Sequence, residues 1–435
     1  MPSAVLPSWT KRLAKVTALS TVAAVLLLCC AVNFTLLEWH PVGGAAKPAP
    51  QGAGSLPARI GAPSPWTADG RRAPIGAASV LYTSNTWLPD GSGYLTGLVG
   101  RADDTYRVTD LYGAAGMASV LSPDGTRLAA DEGIADLATG RVTEYPGVSE
   151  ETWFEAQAWS PDGGSVALLA GGWDDYGRNP GVRLVVYDVA TAAMREIAPL
   201  SELGALAGWT VAFSPDGTRL AYQVEDRIRV LALADGANVD LPLPAGARIA
   251  GKGAWTPDGR GLLVVSGTNC DCGEYPVRWT VTTISAANGA VSGPSYTRDG
   301  VYALRVLGWW PSGQPVAAEY TATEDTAPTL FTDSAAQSGL TSQDDILAVR
   351  LIELGTAREL LAGDDNGLAG DVESVDVPES VLAAGAVRAG DPPLLDADLL
   401  VTVMLILPPT GVLILLALGV WWTIARLSPA FRRRA

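Results

Sequence analysis

Trp209-Thr210-Val211-Ala212-Phe213 leads into Ser214-Pro215-Asp216-Gly217, and Arg219-Leu220-Ala221-Tyr222-Gln223-Val224 follows almost at once. The first run is aromatic and β-branched, which suits a strand. In the phrase after it, proline presets φ for a type I turn, aspartate bonds its own backbone, and glycine takes the left-handed position. The second run alternates polar and apolar residues, as a half-buried strand does. Glu225-Asp226-Arg227 makes a tight connection. Ile228 to Leu233 reads as a third strand, Ala234 to Ala237 as a turn and Asn238 to Leu241 as a fourth strand. Four antiparallel strands in so short a stretch make one propeller blade.

The same phrase recurs at Trp87–Gly91, Leu121–Gly125, Trp159–Gly163, Trp255–Gly259 and, as Trp309-Trp310-Pro311-Ser312-Gly313, near residue 311. Its prolines lie 34, 38, 54, 42 and 54 residues apart, a period typical of blades. A single blade cannot bury both faces of its sheet, so blades stack in a closed ring. Six phrases predict six blades over residues 77–377. Val375-Asp376-Val377-Pro378-Glu379, a degenerate copy, leaves a seventh open. Ala77 to Ser84 precede the first phrase and are expected to close the ring as the outer strand of the last blade.

The aromatic-Ser-Pro-Asp-Gly phrase with an alternating strand behind it resembles the TolB-like, Trp-Asp-repeat-like Asp-Pro propeller repeat. The resemblance covers roughly residues 77 to 377. Leu121 in place of the aromatic and Ser312 in place of the aspartate depart from it. It implies an all-β propeller that binds other proteins or accompanies a separate catalytic domain, here in a membrane-anchored bacterial protein.

The ends read differently. Val16 to Leu37 and Leu399 to Ala425 are uncharged apolar runs long enough to cross a bilayer as helices. Lys11, Arg12 and Lys15 precede the first, and Arg426, Arg432, Arg433 and Arg434 follow the second. Basic flanks favour the cytoplasm. The expectation is an integral two-pass membrane protein with cytoplasmic tails at 1–15 and 426–435, spans at 16–37 and 399–425, and the propeller extracytoplasmic. A disordered Pro/Gly/Ala linker is expected over 38–76, and a linker with a short helix over 378–398. All 46 acidic residues fall between Glu38 and Asp398, with 23 of the 30 basic ones. So acidic a middle repels nucleic acid, and no nucleic-acid partner is expected.

Chemistry finds few footholds. The chain has one histidine, His40, outside the propeller, so no Ser-His-Asp or Cys-His arrangement can be built in the ring. No Gly-x-Ser-x-Gly elbow is present. No catalytic residue, cofactor or metal site is expected. Cys270-Asp271-Cys272 reads as a local disulfide, since two thiolates without histidine or methionine are a poor ligand set. The adjacent acidic pairs Asp103-Asp104, Asp174-Asp175, Glu324-Asp325, Asp344-Asp345 and Asp364-Asp365 read as solvated.

The longest insertions, at 171–180, 267–278 and 321–345, all fall between second and third strands. That places them on the face opposite the Ser-Pro-Asp-Gly turns. Elaborated loops on one face suggest a binding surface, with Trp173, Tyr176, Tyr275 and Trp279 as aromatic anchors. The expected function is recognition of a cell-envelope protein or peptide, or ligand sensing. A glycan-acting enzyme using paired carboxylates and a purely structural envelope component are the alternatives.

Overall fold

The computed structural model describes residues 45–48, 52, 54–63, 67–85, 94–111, 115–149, 151–172, 181–201, 205–244, 246–272, 277–322, 346–363 and 372–393. Their strands form six antiparallel blades around one axis, with a two-stranded parallel clasp beside them. Blade 4 follows the sequence reading closely: Val211–Phe213, Arg219–Val224, Arg227–Ala232 and Asn238–Pro242, hydrogen-bonded in that order. Blade 2 runs from Val120 to Glu144, blade 3 from Thr152 to Leu200, blade 5 from Ala247 to Asp299 and blade 6 from Ala303 to Gly363. In each blade the first strand lies innermost. Val211–Phe213 and Ala247–Ile249 are wholly buried, whereas the fourth strand of blade 5, Val291–Asp299, is largely exposed.

Closure differs from the sequence expectation. Ala78–Asn85 is the second strand of blade 1, not the outer strand of the last blade. Its inner neighbour is Val372–Asp376, from the far end of the chain, paired antiparallel as Asp376↔Leu81 and Val375↔Tyr82. The degenerate phrase therefore completes blade 1, and the described strands form no seventh blade. The phrase at Trp87–Gly91 falls between the second and third strands of that blade and lies outside the described residues. The count of six stands, with Pro378 holding the sixth turn position.

The stretch expected as a linker also joins the fold. Leu56–Pro57 pairs in parallel with Val387–Arg388, and Arg59–Ile60 adds a parallel fifth strand to blade 6. Asp69 bridges to Val108 at the outer edge of blade 1. Leu56, Ile60, Ala73 and Ile75 are buried. These scattered apolar residues anchor a segment whose overall Pro/Gly/Ala content imitates a stalk.

The expectation of two transmembrane helices is corrected. Among the described residues no helix is long and apolar enough to cross a membrane. The helix they contain is Glu379–Ala384, about 9 Å long where a span needs about 30 Å. Segments 16–37 and 399–425 lie outside the described residues. The described residues fold as an all-β six-bladed propeller with one short helix, and the two-pass placement with an extracytoplasmic propeller is withdrawn.

Candidate functional site

The turn phrases line one end of the ring. In four of them a hydroxyl donates to the aspartate: Ser122 to Asp124 at 2.7 Å, Ser160 to Asp162 at 2.6 Å, Ser214 to Asp216 at 2.5 Å and Thr256 to Asp258 at 2.6 Å; Ser312 instead donates to Glu353. The glycine stands at positive φ, +68° at Gly163 and +71° at Gly217. A methyl group at Gly217 would sit 3.6 Å from Pro161 of the preceding blade, so successive turns overlap like shingles. The phrase tryptophans tie neighbouring inner strands together. Trp159 Nε1 donates to Val120 O at 3.1 Å, Trp255 Nε1 to Ala212 O at 3.0 Å and Trp309 Nε1 to Trp255 O at 2.7 Å. The phrase is thus architectural at every described position.

Inside this ring of turns lies a recess of about 330 Å³. Pro123, Pro161, Pro215 and Pro257 form its rim, with Trp159, Phe213, Trp255 and Trp309 beside them. Glu379 and Ala383 of the helix close one side, and Lys252 reaches the floor. The helix stands there because Pro378 begins it where the other blades turn, and Val381 and Leu382 are buried.

The floor is charged and deeply tied. Lys252 Nζ lies 2.8 Å from Asp376 Oδ1 and 3.6 Å from Glu379 Oε1, and donates to Val377 O at 2.9 Å. The Lys252 and Asp376 side chains are 2% and 0% exposed, that of Glu379 41%. Burial alone would pull the lysine pKa down, but the facing carboxylates of Asp376 and Glu379 outweigh it and hold it above the usual value. Asp376 Oδ2 also accepts from Leu121 N–H at 2.8 Å.

Below the floor the channel is filled. Trp209, fully buried, leaves blade 4 and donates from Nε1 to Leu304 O of blade 6 at 3.0 Å. Arg305, also fully buried, donates to Gly116 O, to Val375 O at 3.0 Å and to Tyr320 Oη at 2.8 Å. Gln157 receives Gly208 N–H at 2.7 Å. The recess is therefore blind. Its charged residues were missed in the sequence; the one signal was Asp376 and Glu379 lying in the degenerate phrase.

On the opposite face, Trp279 is a core residue, 0% exposed, with its indole donating to Val301 O at 2.9 Å. It alternates with exposed Arg278 along Val277–Ser285 and points inward, so the loop-face surface loses this anchor. Trp173, Tyr176 and Tyr275 lie outside the described residues. Cys270 and Cys272 form a disulfide. Of the acidic pairs, Asp103-Asp104 is described: Asp103 meets Lys47 at 2.6 Å and Asp104 meets Arg388 at 2.8 Å. The other four pairs lie outside the described residues.

No family model matches the chain, and no curated protein does. Among solved structures it is similar to TolB from Acinetobacter baumannii, at 13% identity and TM-score 0.41, covering 71% of this chain and 68% of that one. A putative TolB from Agrobacterium tumefaciens matches at 18% identity and TM-score 0.31, covering 51% and 81%. An oligogalacturonate lyase in complex with manganese matches at 12% identity and TM-score 0.39, covering 67% and 80%. At these identities the likeness concerns the fold alone, and the propeller assignment rests on the strand topology described above.

Proposed function

We propose that the chain is a recognition module without catalytic activity, which takes a peptide segment of a partner protein into the blind recess. The observation that carries this reading is the recess itself: rigid turns, aromatic and proline walls, and a charged floor, lined by residues of blades 2 to 6 and by the helix that follows the inner strand of blade 1. Small apolar pockets with a few fixed polar groups are the usual sites of anchoring contacts. A carboxylate pair for glycan cleavage has less support. Asp376 is fully buried and committed to Lys252 and Leu121, which leaves Glu379 as the accessible carboxylate among the lining residues.

Peptide display on the purified chain tests the proposal. Ala383 is exposed and lines the recess, so Ala383→Trp fills it without touching the core. Peptides selected on the parent are expected to bind this variant at least about tenfold more weakly, roughly 1.4 kcal/mol, while the melting temperature stays put. Failure to select any peptide, or selection of peptides indifferent to Ala383→Trp, would overturn the reading.

A further inference from the structure

We infer that Cys270, Cys272 and Asp299 form a thiol-gated site for a soft divalent metal ion such as zinc, closed while the cysteines are bonded and opened by their reduction. The site goes beyond the recognition reading and lies on the opposite face of the ring. The two sulfurs and an Asp299 carboxylate oxygen all lie within 4.8 Å of one another. Donors around one zinc ion, with sulfur at about 2.3 Å and carboxylate oxygen at about 2.0–2.2 Å, stand roughly 3–4 Å apart, so a small adjustment suffices.

The third ligand is what the sequence hides. Asp299 ends the fourth strand of blade 5, and the cysteines follow the second strand, Gly261–Asn269. The intervening strand, Val277–Ser285, sets Arg278 opposite Asp299. Arg278 Nε and Nη2 donate to the two Asp299 oxygens at 2.8 Å each. Such an outer partner orients a ligating carboxylate. The charges also match. Two thiolates, a carboxylate and a divalent cation sum to one negative charge, which the Arg278 guanidinium offsets. Water would complete a tetrahedral shell.

Thiolate, not disulfide sulfur, is the metal ligand, so the gate is chemical. An external dithiol reduces the Cys270–Cys272 bond. Two electrons and two protons pass to the cysteines as the dithiol closes to its own disulfide. Metal binding then forms two metal–sulfur bonds and releases two protons to solvent. A partly exposed bridge across a single residue is open to that exchange.

The test uses the full chain carrying Cys29→Ser and Cys30→Ser, which leaves Cys270 and Cys272 as its only thiols. After reduction with a phosphine and removal of the reductant under argon, the chain is titrated with Cd²⁺ and followed by sulfur-to-metal charge-transfer absorption. The expected result is one ion per chain with Kd below about 10 µM, no band without reduction, and none after Cys270→Ser. Asp299→Asn should weaken binding at least about tenfold. Equal affinity in Asp299→Asn would reduce the site to a bare dithiol chelate and overturn the proposal, as would absence of binding below about 0.1 mM. Zinc-edge X-ray absorption of the loaded parent gives a check independent of that variant. Two sulfur and two light neighbours support the site, and three or four sulfurs, meaning a bridge between chains, sink it.

Discussion

Asp216 shows how one residue of the phrase works. Hydrogen bonds from the Ser214 hydroxyl, the Thr218 backbone N–H and the Thr218 hydroxyl stabilise its charged form and hold its pKa down to about 2. Asp162 and Asp258 are lowered in the same way by Ser160 and Thr256. A carboxylate depressed in the folded state contributes stability above its unfolded pKa of about 3.9 and loses it as pH falls through the folded value. Melting temperature should therefore drop between about pH 4 and pH 2. In the triple variant Asp162→Asn, Asp216→Asn, Asp258→Asn the curve should start lower at neutral pH and flatten in that window. Parallel curves for parent and variant would show that the turns play no part in acid sensitivity.

The blade is the scale at which the sequence was most legible. The second strand of blade 4 has the expected bounds, Arg219–Val224, because alternation and turn chemistry are local signals. Trp87–Gly91 misled for the same reason: a turn phrase fits the connection between second and third strands as well as that between first and second. Trp279 misled because a tryptophan beside a long insertion looks like a surface anchor until its alternation with exposed Arg278 is weighed. Indole staples between blades could not be read at all, since the accepting carbonyls lie 39 to 54 residues away. Trp255→Phe removes one of them, and the buried Ala212 carbonyl keeps only the ladder bond from its strand partner Ala221. Loss of one such hydrogen bond, with the carbonyl still paired, costs about 0.5–1.5 kcal/mol. Urea titration should show the midpoint falling with the slope unchanged. An unmoved midpoint would mean the indole bond contributes nothing.

At the scale of the ring, polar ties among the described residues span the axis between blades that are not neighbours, among them Lys252 to Asp376, Trp209 to Leu304 and Arg305 to Gly116. None was visible beforehand, because each needs the ring to be closed before its partners meet. Lys252→Met strands a fully buried carboxylate at Asp376 and should cost about 3–5 kcal/mol. Adding Asp376→Asn, which neutralises the charge and keeps an acceptor for Leu121 N–H, should restore much of that loss. If the double variant melts no higher than Lys252→Met, the lysine acts through packing and not through the ion pair.

The inner strand of blade 1 arrives last, and this sets a schedule for a chain made from its N-terminus. Three strands ending at Thr109 must wait for Val372–Asp376 before their sheet is whole. At about 5–20 residues per second, the ribosome needs on the order of ten to fifty seconds to deliver it. Throughout that interval the nascent chain carries an open edge at Ala78–Asn85, a template for mispairing with a sister chain. The window ends only when Val372–Asp376 emerges and the ring can shut.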